Sequence, residues 1–394
     1  MKLSDVVILG MGRTPRGRFG GTLKDMDADD FSAAIVPEIL KRAGIKPGDV
    51  DRVFWGQTRQ TGYGGNPGRS VAAKAGIPYE TPVFTINMTC ISAMQALISG
   101  IQSIQLGEAE VVLAGGMENM SGAHYILKGA RWGFRSGPKE IIDDLYIPCR
   151  ISGIGMGMTA ENVVEKYNIS REAQDRFAFE SHQKAIKAQD EGWFDEEIIP
   201  IKVPQGKGKE ILFSTDECIR RDTDYEKIAA LPPVFKEGGT VTAGNSCPLT
   251  DGANGIIIAS RAKAEKLGTK PLASFVSYQT VGVDPIYMGI GPIKAIPLAL
   301  EKAALKMNQI DLIEYNEAFA CVVLAGIQEL KLDPARINIH GGAISLGHPT
   351  GSSGSRLVIT LYHALKRTGG KYGLATLCGG GGLGGAIIIK MERG

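Results

Sequence analysis

Three residues in this chain combine a reactive side chain with a setting that could use it. Cys90 stands in TINMTCISAMQALISGIQSI, which reads as a strand to Asn87, a short turn and a helix starting near the cysteine. A thiol placed there faces unpaired N–H groups and the positive end of the helix dipole, which favours thiolate, the form that attacks carbonyl carbon. The competing reading is a buried structural thiol, because free cysteine is among the most buried residue types. His348 stands in GGAISLGHPTGSSGSRLVI, a glycine- and serine-rich loop directly before a helix, where a base could reach a cysteine from elsewhere in the chain. A capping or core role for that imidazole stays open. Cys378 precedes a glycine run in GLATLCGGGGLGGAIII. Backbone N–H groups of such a run can converge on an oxyanion, and a thiol beside them could exchange a proton with a carbon acid. A tight β-connection with an incidental cysteine leaves the same trace. Asn316, in YNEAFA, offers an amide at a strand end, either as a ligand group or as an N-cap for the next helix. GHPTGSSG lacks the spacing and the lysine of a phosphate loop, which argues against nucleotide hydrolysis. The six cysteines are far apart with no C-x-x-C pair, so no zinc knuckle or other metal site is expected.

Elements from distant parts of the chain must bring these groups together, and an internal repeat indicates how. VPEILKRAGIKPGDVDRVFWGQ lies without gaps on IPLALEKAALKMNQIDLIEYNE, with Pro37 over Pro297 and Asp51 over Asp311, an offset of 260 residues (297 − 37). Both copies read as helix, short turn and strand. A second match relates the run Glu110 to Ala114, ending in Gly115-Gly116, to Gly373 to Leu377 before Cys378. Helices alternate with apolar, β-branched runs in each copy, the pattern of a parallel sheet covered on both faces. Residues 121–250 differ in texture, with charged helices such as SREAQDRFAFESHQKAIKAQDEGW and a basic stretch at Lys202, Lys207, Lys209, Arg220 and Arg221. They read as an insertion, in which Ser170 caps a long amphipathic helix with Phe177 on its buried face.

Composition narrows the function classes. The 394 residues are 43% hydrophobic and 22% charged, ordinary for a folded protein with more than one core. A net charge of +2 supplies no field for nucleic acid or an anionic membrane, so neither is expected as a partner. No apolar run is long enough to span a bilayer, and the first residues show no secretory signal, so a cytoplasmic or organelle-matrix location is expected.

Together these pieces resemble the thiolase family over essentially the whole chain and in the family's order. The motifs are RTP at Arg13, N-x-x-C at Asn87 to Cys90, GGMENMS at Gly115, MTAENV at Met158, TVTAGNS at Thr240 and DGA at Asp251. After them come MGIGP at Met288, NEAFA at Asn316, GGAISLGHPTGSSG at Gly341 and CGGGGLG at Cys378. The resemblance implies an α/β fold, a five-layer α-β-α-β-α stack of two duplicated halves with an inserted loop domain. It implies an N-terminal half over 1–120, completed by about 251–270, a loop domain over 121–250 that covers the site and binds CoA, and a C-terminal half over 271–394. It implies Cys90 as the acyl-carrying nucleophile, His348 as its activator and Cys378 as the acid/base at the α-carbon. Asn316 would join His348 in holding the thioester oxygen through a water, and the N–H groups of Cys90 and Gly380 would form a second oxyanion hole. Arg220, Ser246, Cys247, Phe235 and Met288 would contact coenzyme A or the acyl end. No cofactor would be bound permanently; CoA and acyl-CoA would be substrates, and the protein would be a homo-oligomer, a dimer or a tetramer.

The reaction so implied is the reversible Claisen condensation of two acetyl-CoA to acetoacetyl-CoA and CoA. Thiolysis of longer 3-ketoacyl-CoA is the alternative, and a non-catalytic CoA-binding subunit is the reading from another class. Three positions depart from the short-chain members. Gly155 stands where they have histidine, Cys247 where they have a serine beside the pantetheine, and Ala93 where glycine is usual.

Overall fold

Side chains alternate between two faces along every long strand, and here both faces are apolar, so each strand feeds two cores. In the computed structural model, which describes residues 2–60, 62–206 and 208–392, the main sheet is ten-stranded. It comprises β1 (Val6–Arg13), β2 (Arg52–Gly56), β3 (Val83–Ile86), β4 (Val111–Asn119), β5 (Thr250–Ser260), β6 (Ala273–Gly282), β7 (Leu312–Tyr315), β8 (Tyr372–Gly379) and β9 (Leu383–Met391), with the two-residue strand Gly17–Arg18 beside β5. The order is β7-β8-β9-β6-β1-β5-β4-β2-β3. Val6 and Ile8 of β1, Val112 and Ala114 of β4, and Ile387 and Ile389 of β9 enter one apolar cluster. Val7, Leu9, Val111 and Leu113 enter a second, and Ala386 and Ile388 a third.

Helices separate the three cores. Helices α1 (Ala28–Arg42) and α2 (Pro67–Lys74) cover the outer face of the β1–β5 half. Helix α3 (Ser92–Gln105) lies in the middle against α8 (Ser353–Thr368). Helices α6 (Gly291–Ala303) and α7 (Ala320–Leu330) cover the outer face of the β6–β9 half. The result is the five-layer α-β-α-β-α arrangement expected from the resemblance. The two half-sheets are one hydrogen-bonded ladder, joined where β1 meets β6 at Val7↔Ser274 and Ile8↔Ala273.

The repeat survives in detail. Pro37 and Pro297 both lie inside helices, α1 and α6. Asp51 accepts from the N–H groups of Glu110 and Val111 at 2.7 and 2.8 Å, and Asp311 accepts from those of Lys371 and Tyr372 at the same two distances. These bonds, and the pairing of Arg52 with Val112 and Leu312 with Gly373, correct the second sequence match by two residues: Glu110 corresponds to Lys371, not Gly373. The sheet is also mixed where the apolar runs implied a parallel one. Only β2–β3, β2–β4 and β7–β8 are parallel. A loop of three glycines, Gly380 to Gly382, joins β8 to β9, and so short a loop closes only an antiparallel pair. The equivalent pair β4–β5 is antiparallel as well, although the whole insertion separates its strands.

Residues between β4 and β5 carry two small two-stranded ladders and the helices α4 (Met156–Tyr167) and α5 (Arg171–Asp190). Ser170 caps α5 by accepting from the Ala173 N–H, and Phe177 is partly buried. Lys207 of the basic stretch lies outside the described residues. Among the described residues no helix is long and apolar enough to cross a membrane.

Candidate active site

Cys90 does not start a helix. Helix α3 begins at Ser92, and Met88 to Cys90 form a tight turn in which Thr89 takes φ 49°. That conformation is costly for a β-branched residue and must be held from outside. Ser92 Oγ holds it, donating to the Thr89 carbonyl at 2.6 Å and accepting from the Met88 N–H at 2.9 Å. Thr89 Oγ1 in turn donates to the Gly380 carbonyl at 3.1 Å, which ties the cysteine's turn to the glycine loop after β8. The Cys90 sulfur thus meets two backbone N–H groups, its own and that of Gly380. Burial nevertheless pushes the thiol's pKa up, outweighing these donors and the positive charge of Arg59. The expected thiolate-favouring setting is therefore corrected: with Cys90 ahead of the helix rather than on its first turn, desolvation wins and the resting group is a thiol.

His348 lies in the loop before α8 and is 4% exposed. Its Nδ1 is 2.7 Å from Ser353 Oγ, and its Nε2 is 3.4 Å from Asn316 Nδ2. Burial and the charges of Arg356 and Arg16 lower its pKa to about 3, so the imidazole is neutral. Asn316 caps nothing: α7 starts at Ala320, and the Asn316 N–H donates to the Thr376 carbonyl at 2.9 Å. Its Oδ1 is buried without a partner, an orphaned acceptor beside the imidazole that a water or ligand would satisfy. The first turn of α8, directly after the loop carrying His348, packs on α3. A Cβ on Gly354 would lie 2.4 Å from the Met94 nitrogen, so only glycine allows the approach.

Cys378 is the last residue but one of β8, two residues before Gly380, and is fully buried. Burial raises its pKa far above the ordinary thiol value, and Cys90 and Cys247 are close enough to raise it further. Thus Cys90, Gly380 and Cys378 gather at one strand end, with Cys247 near, and His348 and Asn316 form an adjacent pair. Phe235 packs edge-on against Phe319 with ring centroids 6.1 Å apart, Met288 is 2% exposed in the same core as Phe319, and Ser246 Oγ donates to the Thr242 carbonyl at 2.6 Å. Arg220 is set apart, its side chain exposed and its N–H donating to His182 Nδ1 at 3.3 Å. A pocket of about 530 Å³ opens beside Cys90, bounded by Asn87, Met156, Thr350 and Gly380 among others.

Sequence models of the thiolase N-terminal domain and the thiolase C-terminal domain match residues 6–262 and 269–391. The chain belongs to the thiolase family. It is 47% identical over 393 residues to an acetyl-CoA acetyltransferase of Pseudomonas aeruginosa, covering 99% of this chain and 100% of that one. It resembles the crystal structure of the Bacillus anthracis acetyl-CoA acetyltransferase, with a TM-score of 0.97, 44% identity, and 99% and 100% of the two chains covered. It also resembles human mitochondrial 3-ketoacyl-CoA thiolase in complex with CoA, with a TM-score of 0.94, 43% identity, and 98% of each chain covered.

Sequence reasoning missed four residues that shape this site. Glu118, fully buried, accepts from the N–H groups of Thr58, Arg59 and Gly351 and from the hydroxyls of Thr58 and Thr350, pinning two loops together. Arg59 stands on the pocket wall, Thr350 on the opposite loop, and Ser353 behind the imidazole. Arg59 follows the β2 strand end, as Phe319 follows β7 at the repeat's offset of 260, and nothing in its type or spacing marked it.

Proposed function

We propose that the chain catalyses the reversible Claisen condensation of two acetyl-CoA to acetoacetyl-CoA and CoA, with the acyl group carried on Cys90. The observation that carries this is the placement of Cys90 and Gly380 on one pocket, tied together by the Thr89 Oγ1 bond to the Gly380 carbonyl, with a second thiol two residues from that glycine. Tetrahedral addition at a thioester places negative charge within reach of the Cys90 and Gly380 N–H groups, and preorganised donors stabilise it without reorganisation. His348 takes the Cys90 proton during attack and returns it to the departing CoA sulfur. Asn316 and His348 hold the thioester oxygen of the second substrate through a water, the role for which the unpartnered Asn316 Oδ1 leaves room. In cleavage the Cys378 thiol protonates the leaving enolate, and its raised pKa keeps that proton in place until it is needed. In condensation the same transfer runs backward. Covalent capture divides the reaction into two steps, so ping-pong kinetics are expected.

In this reading residues 1–120 with about 251–270 form one half, 271–394 the other, and 121–250 a loop domain over the site. Arg220, Phe235, Ser246, Cys247 and Met288 contact coenzyme A, which comes and goes as substrate. A cytoplasmic homo-oligomer, dimer or tetramer, belongs to the same proposal. Thiolysis of longer 3-ketoacyl-CoA is a second reading, for which the apolar wall at Ile147, Ile151 and Leu383 offers a surface to a longer chain. The test is CoA-dependent loss of acetoacetyl-CoA absorbance by the native chain and by Cys90→Ala, with longer 3-ketoacyl-CoA in parallel. Cleavage abolished in the variant is expected; no cleavage of any substrate by folded native protein would leave a CoA-binding subunit as the better account.

A further inference from the structure

We propose that the pocket beside Cys90 is built for an acyl group whose far end carries a carboxylate, and that Arg59 receives it; this rests on reading Cys90 as the acyl carrier. The charged side chains on its wall are Arg59 and Arg150, with no acidic residue among the described ones lining it. The remaining wall is partly apolar, with Ile147, Ile151 and Leu383, as the methylene part of such an acyl group requires.

Arg59 is a cation without a counter-ion. Its Nε is buried and unpartnered, and Nη2 reaches only the Leu145 carbonyl, at 3.4 Å. Among the described residues no carboxylate lies within ion-pair distance of it, whereas Arg13 is held by Glu197 and Asp216, Arg171 by Asp175 and Arg356 by Glu314. Glu118 is near but does not serve: its oxygens accept from the backbone of Thr58, Arg59 and Gly351 and from two threonine hydroxyls. That carboxylate fixes where the Arg59 backbone stands and leaves the guanidinium fork open. A half-buried guanidinium with open donors is unfavourable until an anion completes it, and the planar fork matches a carboxylate. The phosphates of CoA are separated from the thioester by the whole pantetheine arm. An arginine on the wall that also carries Cys90 is therefore met by the acyl group. In the second copy the equivalent position is Phe319, so the cation belongs to one side of the duplicated site alone.

The chemistry balances with the groups already assigned. Cys90 sulfur bonds to C3 of a 3-oxo-dicarboxylyl-CoA as its proton passes to His348. The C2–C3 bond breaks, and its electron pair takes the Cys378 proton to give acetyl-CoA. The acyl group on Cys90 keeps the terminal carboxylate. The proton held by His348 then restores Cys378; CoA sulfur takes the acyl group as its own proton passes to His348, and the departing Cys90 sulfur recovers that proton.

The test compares kcat/KM for thiolysis of 3-oxoadipyl-CoA and 3-oxohexanoyl-CoA, equal in carbon count and differing in the terminal charge, with acetoacetyl-CoA alongside. The native protein is expected to favour the charged substrate by about tenfold or more, the usual worth of a charge-assisted pair. Arg59→Gln should lower that ratio by about ten- to a hundredfold, and Arg59→Lys should retain part of it, keeping the charge without the fork. Cleavage of the uncharged substrate by the same variant shows that it is folded. A native ratio near one, or a high ratio unchanged in Arg59→Gln, overturns the proposal. No cleavage of any of the three substrates by folded native protein would remove the reading on which it rests, and the proposal with it.

Discussion

Ser353→Ala tests how His348 is made a base. Ser353 Oγ donates to the Pro349 carbonyl at 3.0 Å, so its contact with His348 Nδ1 at 2.7 Å must be one in which the ring donates. The proton is thereby fixed on Nδ1 and the lone pair on Nε2, the atom facing Asn316. Alanine removes the acceptor and leaves a buried N–H unpartnered, at a cost of about 1–3 kcal/mol. The ring can escape that cost by turning or by moving its proton to Nε2, and either response removes the base. At about 1.4 kcal/mol per tenfold in rate, kcat should fall roughly ten- to a hundredfold. KM for acetoacetyl-CoA should change little, because Ser353 lies behind the ring, and Ser353→Thr should restore much of kcat. Steady-state thiolysis with both variants decides it. A Ser353→Ala enzyme with native kcat, or one whose loss lies entirely in KM, would refute the tautomer argument.

Cys378→Ala should still acquire an acyl group on Cys90 from acetyl-CoA, visible by peptide mass, while thiolysis falls by about a hundredfold to ten-thousandfold, the usual worth of a general acid. A variant that loses acylation and cleavage equally would place Cys378 in the first half-reaction instead. His182, buried beside Arg220, has its pKa lowered to about 4 by desolvation first and by that arginine's charge second. Its folded pKa lies below the unfolded value of about 6.5, so its contribution is complete above about 6.5 and is lost as pH falls toward about 4, up to roughly 3 kcal/mol. Protonation also removes the Nδ1 acceptor of the Arg220 N–H. His182→Gln should flatten the acid limb of stability measured by denaturant midpoints from pH 7 to 4; an unchanged limb would assign it to other groups.

Much of the fold was legible because duplication writes the same physical problem twice. Pro37 and Pro297, and Asp51 and Asp311, recur because each helix–turn–strand unit sets an aspartate just before its strand, where it holds N–H groups at the start of the neighbouring strand. Strand direction was not legible, since apolar runs report burial on both faces and say nothing of pairing sense. The antiparallel β8–β9 pair was nevertheless written in the brevity of the glycine loop. Cys90, His348 and Cys378 stood out by type and setting, but their ionisation did not. A helix beginning at Ser92 instead of Cys90, and arginines 356 and 16 reaching His348, are tertiary outcomes that no local window contains. Arg59 escaped notice because its meaning lies in a missing counter-ion, which only the folded arrangement reveals.

The two pKa displacements at the site act in the same direction. Burial raises the Cys90 thiol, and burial with two arginines holds His348 near 3, so both oppose a resting thiolate–imidazolium pair. The site at rest is a set of neutral donors and acceptors. Charge separation becomes favourable only when a thioester carbonyl lies against the Cys90 and Gly380 N–H groups, because the developing charge then moves from sulfur to an oxygen within reach of those donors. A thiol that ionises only as it attacks is also protected from oxidation and adventitious electrophiles between turnovers, since reactivity follows the thiolate. The desolvation that opposes a free nucleophile thus directs it to a substrate that brings its own acceptor for the charge.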